Sequence, residues 1–307
     1  MNINRSLWGK KDGREIFLIT VNNGSMELSY TNLGCTITAI SVPDGSGNMK
    51  NLVLGYDTLD EYLNDNYFLG CIMGRVTGRI SNGSFEIDGK QYTLARNDGT
   101  QTNHMHGGLQ GFSKKVFELR SIEEKDNKVS ATFYYHSNDM EEGYPGNLDL
   151  HVTYTLTTNN EVIIKYHAIA DKATNVNLTN HCYFNFSGTS TPAIDHELYV
   201  DADKFVLCGE GWIPTGELKS VDHDPHDFRV KHRINKDWHE LPDGFNECFV
   251  LNSESINHAV SARLSDPGSG TAMTLKTTSP GIVFYTGAYL SVPFQKYQGV
   301  CLETQFF

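Results

Sequence analysis

Apolar and polar residues alternate with a period of two along most of this chain, and no helix-length window sustains a 3.6-residue period. Glu15–Val21 is rich in β-branched and aromatic residues, Asn22-Asn23-Gly24 signals a tight turn, and Ser25–Thr31 alternates behind it. Further strands are predicted at Cys35–Val42, Leu52–Gly55, Val116–Ile122, Lys128–His136, Leu148–Thr157, Glu161–Ala170, Asn175–Phe186 and His196–Leu207. The pattern continues at Phe249–Leu251, Ala259–Leu264, Thr271–Thr277 and Gly281–Tyr289. Phe85–Leu94 reads as a hairpin turning at Asp88-Gly89. Residues 58–63 predict one short helical turn, capped by Asp57 or Thr58. Residues 97–111 and 214–229 are rich in turn formers and predict loops. Strands punctuated by turns over nearly the whole length predict an all-β protein, a single large antiparallel β-sandwich spanning 1–307.

The final stretch, Gly299 to Phe307, sets one acidic side chain, Glu303, in an apolar run. Strand alternation puts it on one face with Cys301 and Gln305, and Val300, Leu302 and Thr304 on the other. A carboxylate there is costly to desolvate unless it lines a polar site. It is therefore either an edge-strand residue facing water or a general base on the floor of a site.

Composition narrows the classes. With 307 residues, 39% hydrophobic and 20% charged, the chain can bury a large core. A formal net charge of −12 argues against nucleic-acid and anionic-membrane partners, which reward clustered Lys and Arg. The six cysteines are scattered with no Cys-x-x-Cys pair, so neither a zinc ribbon nor a thioredoxin-like site is expected. The N-terminal residues lack a signal-like apolar run, and no segment approaches the ~20 apolar residues that span a bilayer. A cytoplasmic protein with reduced thiols is the expectation.

Four local groups carry candidate chemistry. Arg75 and Arg79, four apart, either donate planar forks of N–H groups or are surface arginines. His104-Met105-His106-Gly107-Gly108 lacks the third ligand that zinc spacing requires, so His106 more readily projects its imidazole toward a ligand. His181, within Asn180-His181-Cys182-Tyr183-Phe184-Asn185, is either a core histidine or an acid–base group. Strand geometry points Cys182 away from it, against a cysteine–histidine nucleophile. Asp222-His223-Asp224-Pro225-His226-Asp227 reads as a solvated turn rather than a metal site. No phosphate loop, nucleophile elbow or dinucleotide fingerprint is present.

Taken in order, several stretches resemble the aldose 1-epimerase (galactose mutarotase) family. They are Gly74-Arg-Val-Thr-Gly-Arg-Ile80, His106-Gly-Gly with Gly111-Phe112, Glu142-Gly-Tyr-Pro-Gly146 and Thr179-Asn-His-Cys-Tyr-Phe-Asn185. Pro214-Thr-Gly-Glu217, Pro280-Gly281 with Tyr285-Thr-Gly287, and Cys301-Leu-Glu-Thr-Gln305 follow. The resemblance implies the galactose mutarotase-like supersandwich and a cofactor-independent isomerase that interconverts the anomers of a free hexose such as galactose or glucose. It implies no metal, a sugar as the partner, and a monomer or homodimer. It puts the catalytic acid on His181 and the base on Glu303, facing each other across the width of a pyranose. Sugar contacts fall on Arg79 and His106, and Tyr183 lies in a site-lining segment. The family's Gly-aromatic-Asp-His segment reads Gly244-Phe-Asn-Glu247 here, which puts a neutral amide, Asn246, where an Asp usually holds hydroxyls. Val283 stands where many members have Gln, Gly78 replaces the Asn often found before the arginine, and members commonly continue past the point where this sequence ends. Two alternatives stay open: a non-catalytic carbohydrate-binding module on the same scaffold, and a hexose-phosphate mutarotase.

Overall fold

In the computed structural model the described residues are all of 1–307 except 189–190, 238–239, 242 and 253–258. About 47% of the chain is strand and 7% helical, so the all-β sandwich class expected from the sequence holds. The chain divides into two compact units, one of residues 1–49 and 55–179, the other of 50–54 and 180–307.

In the first unit, Asn2–Lys11, Arg14–Asn22, Glu27–Thr31 and Ile37–Pro43 pair antiparallel in chain order. Glu118–Lys125, Lys128–Ser137, Leu148–Thr157 and Val162–Ala170 form a second up-and-down sheet. Alternation decides what is buried. Val129, Ala131 and Phe133 on one strand and Leu148, Leu150, Val152, Tyr154 and Leu156 on the next are all at most 1% exposed. Tyr30 of the first sheet meets Phe133 edge-on at 5.8 Å and Tyr154 at 5.3 Å, so the two inner faces interlock through aromatic rings. Each such ring removed from water stabilises the unit by roughly 1.5–3 kcal/mol.

In the second unit one sheet runs, in spatial order, Pro214–Ser220, Ala202–Cys208, Asn246–Leu251, Gly281–Tyr285, Cys301–Gln305. A smaller sheet pairs His232–Arg233, Glu197–Val200, Ala262–Ser265 and Ala272–Leu275.

Local chemistry explains most turns. At the Asp88-Gly89 turn both residues have positive φ, 51° and 75°, as a tight hairpin demands. Thr58 caps the short helix Leu59–Leu63 in a reciprocal box. Glu61 N–H donates to Thr58 Oγ1, and Thr58 N–H donates to Glu61 Oε2. Two expectations need correction, and one strand was not foreseen. The segment 214–229, expected as loop, begins with the strand Pro214–Ser220, which gains its pairing from Ala202–Cys208. Asn2–Lys11 is an added edge strand whose mostly exposed residues carry little hydrophobic signal. The expected strand Asn175–Phe186 is regular only at Thr179–Asn180, so His181 lies in irregular chain.

Candidate active site

Register builds one face of the second unit's larger sheet. Asn246 pairs with Tyr285 and Tyr285 with Cys301; Cys248 pairs with Val283 and Val283 with Glu303. Directly paired residues share a face, so Asn246, Cys248, Val283, Tyr285, Cys301 and Glu303 form two adjacent rows on it. The expected grouping of Glu303 with Cys301 and Gln305 is therefore found, and all three are buried.

His181 reaches this face because the chain after it is stitched to the last strand. Phe184 N–H donates to Val300 O at 2.7 Å and Val300 N–H returns to Phe184 O at 3.0 Å. Ahead of that, the Asn180 side chain accepts Cys182 N–H at 3.1 Å, an Asx turn that bends the backbone at His181. The result sets His181 Nε2 3.6 Å from Glu303 Oε1, both side chains 5% exposed. The ring lies 5.0 Å from the Tyr183 ring and 6.4 Å from Tyr285.

A separation of 3.6 Å is narrower than a pyranose, so the expected opposition across the sugar is corrected. The two groups stand side by side. Burial without water pushes the His181 pKa down to about 4, so its imidazole is neutral at rest. The same desolvation raises the Cys182 thiol to about 12 and the Cys301 thiol well above its ordinary value. Neither is a thiolate nucleophile, in keeping with the expectation against that chemistry.

His181, Cys301 and Glu303 bring three potential metal donors within 4.8 Å of one another. Cys301 Sγ, however, lies 3.6 Å from Nδ1 while Glu303 approaches Nε2. The lone pairs of the two ring nitrogens diverge, so the thiol and the carboxylate are not arranged around a common centre.

In the first unit, Arg79 belongs to a short two-stranded ladder in which it pairs with Met105, and His106 opens the turn that follows. His106 N–H donates to Gly78 O at 2.9 Å, and Gly78 N–H approaches His106 Nδ1 at 3.3 Å. Nδ1 thus serves as acceptor, leaving the N–H of the neutral ring on Nε2. The following Gly107, at φ 82°, would bring a Cβ to 1.7 Å from Gly74 O, so only glycine fits. His104 is buried against Ala95 O and the Tyr144 hydroxyl, both at 2.8 Å, and is a structural histidine.

Arg75 is not a surface arginine; of the two roles expected for it, the fork of N–H groups is found, used inside the protein. It is 2% exposed and donates to Ser137 Oγ, Thr174 Oγ1 and the carbonyls of Ser137, Asn138, Tyr144 and Pro145. The 222–227 segment also departs from a solvated turn, since His226 is 5% exposed and stacked on Phe205 at 4.0 Å. Tyr285 was not singled out as a candidate. Its alternation within Gly281–Tyr285, in register with Cys301, is the signal that places it.

The aldose 1-epimerase family model matches residues 18–307. A galactose mutarotase from Bos taurus is 40% identical over 295 residues, covering 93% of this chain and 84% of the relative. An aldose 1-epimerase from Escherichia coli is 32% identical over 308 residues, covering 96% and 87%. The crystal structure of an aldose epimerase homologue from C. elegans superposes with a TM-score of 0.86 at 30% identity, covering 94% of this chain and 89% of that one. Among the described residues no helix is long and apolar enough to cross a membrane.

Proposed function

The chain belongs to the aldose 1-epimerase family and is an isomerase that mutarotates aldoses; from that premise we propose that His181 and Glu303 are its acid–base pair. The observation that carries the assignment is the contact itself: an imidazole and a carboxylate, both nearly buried, 3.6 Å apart. Mutarotation opens a cyclic hemiacetal and recloses it on the other face of C1. Glu303 takes the O1 proton as the C1=O1 bond forms. The C1–O5 bond breaks, its electron pair goes to O5, and His181 delivers a proton there. O1 and O5 are both bonded to C1, so two groups standing side by side can serve both oxygens. Rotation about C1–C2 and the reverse transfers complete the exchange, with no covalent intermediate. Through the cycle the pair holds one proton, alternating between imidazolium with carboxylate and imidazole with carboxylic acid. Burial disfavours the imidazolium in the free site, and the Glu303 carboxylate beside it favours the charged form from which the first transfer starts.

Substrate recognition falls to Arg79, His106, Tyr183 and Asn246. The guanidinium of Arg79 and the Nε2–H of His106 are donors for hydroxyls, the Asn246 amide donates and accepts, and the Tyr183 ring beside His181 offers an apolar face to the sugar. Galactose and glucose are the hexoses proposed. A cytosolic setting fits the six free cysteines, five of them buried. Polarimetry of freshly dissolved α-galactose tests the pair. H181A and E303A are each expected to lower kcat by roughly 10²–10⁴-fold while sugar still binds. An E303Q variant with full activity would remove the base assignment.

A further inference from the structure

The strand that carries Asn246 is held from its other side by a buried charged chain. Glu247, one residue on, points to the opposite face, in the row with Phe284 and Leu302. There its Oε2 accepts the backbone N–H of Asn246 at 2.8 Å and lies 3.2 Å from His226 Nε2. The second contact is an ion-pair approach whose alignment falls short of a hydrogen bond. The other ring nitrogen, Nδ1, meets Asp224 Oδ1 at 2.5 Å, and Asp224 Oδ2 accepts from Lys219 Nζ at 2.7 Å. The His226, Asp224 and Glu247 side chains are 6%, 12% and 13% exposed. The imidazole lies flat on Phe205 at 4.0 Å and edge-on to Phe245 at 5.1 Å.

We propose that His226 is a positioning residue for sugar binding: with Glu247 it fixes the start of the Asn246–Leu251 strand, and so the direction in which Asn246 presents its amide on the sheet face that also carries Glu303. A carboxylate among phenylalanine rings stays there only while it has close polar partners, and Glu247 has two, the imidazole and the Asn246 N–H. Without the imidazole the carboxylate turns toward water and releases that N–H. The backbone then loosens at the residue whose amide, unlike a carboxylate, has no charge with which to attract hydroxyls and depends on being aimed. His181 and Glu303 lie on other segments and keep their contact, so binding changes and chemistry does not.

The proposal rests on the reading of Asn246 as a sugar contact, and the test separates the two. KM and kcat for α-galactose are measured by polarimetry for N246A, H226F and the double variant, with thermal unfolding followed in parallel. H226F keeps an aromatic ring on Phe205 and removes both ring nitrogens. N246A and H226F are each expected to raise KM roughly three- to tenfold, the effect of one lost or misdirected hydrogen bond, with kcat within about twofold. The double variant is expected to match N246A alone. If N246A raises KM and H226F lowers only the unfolding temperature, His226 is merely structural and the proposal is overturned while the Asn246 reading stands. If N246A leaves KM unchanged, both fall. Should H226F fail to fold, E247M, which fills the same space without a charge, is expected to show the same rise in KM. An unchanged KM in E247M overturns the proposal.

Discussion

Acid should weaken this protein through buried histidines, and the share of His181 can be isolated. His181 is buried, its pKa moves from an ordinary 6.5 to about 4, and the cause is desolvation of the imidazolium. Because the folded value is the lower one, the stabilisation is complete above 6.5 and drains away as pH falls toward about 4. Between about pH 7 and pH 5 the unfolded imidazole takes up nearly a whole proton while the folded one stays neutral. Integrating that difference gives a loss of ~2 kcal/mol from this residue alone. His196, also lowered to about 4 by burial, adds a similar loss, since its Nε2 already accepts Phe186 N–H at 2.7 Å. The perturbation is H181N, which removes the titrating ring and leaves His196. The assay is urea unfolding of both proteins at the two pH values, followed by tryptophan fluorescence. The wild type is expected to lose ~2 kcal/mol more than H181N on acidification. An identical pH dependence in the two proteins would refute the claim that His181 is held neutral by burial.

Two further outcomes follow from the first unit. R75A strips donors from four carbonyls and the Ser137 and Thr174 hydroxyls, and is expected to cost roughly 3 kcal/mol or more in unfolding free energy; near-wild-type stability would show those acceptors find other partners. G107A places a Cβ 1.7 Å from Gly74 O and must displace the loop that carries His106, so KM for galactose is expected to rise with any folded protein that remains. An unchanged KM in well-folded G107A would separate His106 from sugar binding.

Much of the fold was legible because alternation has a simple physical cause. Phe133 and Tyr154 fall on buried faces, and Asp88-Gly89 supplies positive φ at two successive positions. Irregular chain was less legible. The run 175–186 has a strand's composition, yet its hydrogen bonds go to partners such as Val300 that only the folded chain provides. The burial of Arg75 was illegible for the same reason: its four-residue spacing from Arg79 says nothing of the carbonyls that gather around its guanidinium. Glu303 could be placed on a strand beside Cys301 from alternation alone. That His181 joins it, 3.6 Å away, came first from the family resemblance and then from the geometry. The Glu247–His226 contact had no local signal, being a pairing of residues 21 positions apart in sequence that only the fold creates.

The central claim is that one imidazole and one carboxylate work as a unit on a single sugar carbon. It is tested most directly by kcat for galactose mutarotation in H181A, E303A and the double variant, measured at saturating sugar. Groups that act in one step lose their combined effect when either is removed. The double variant is therefore expected to be no slower than the worse single variant, and losses that multiply would contradict the account.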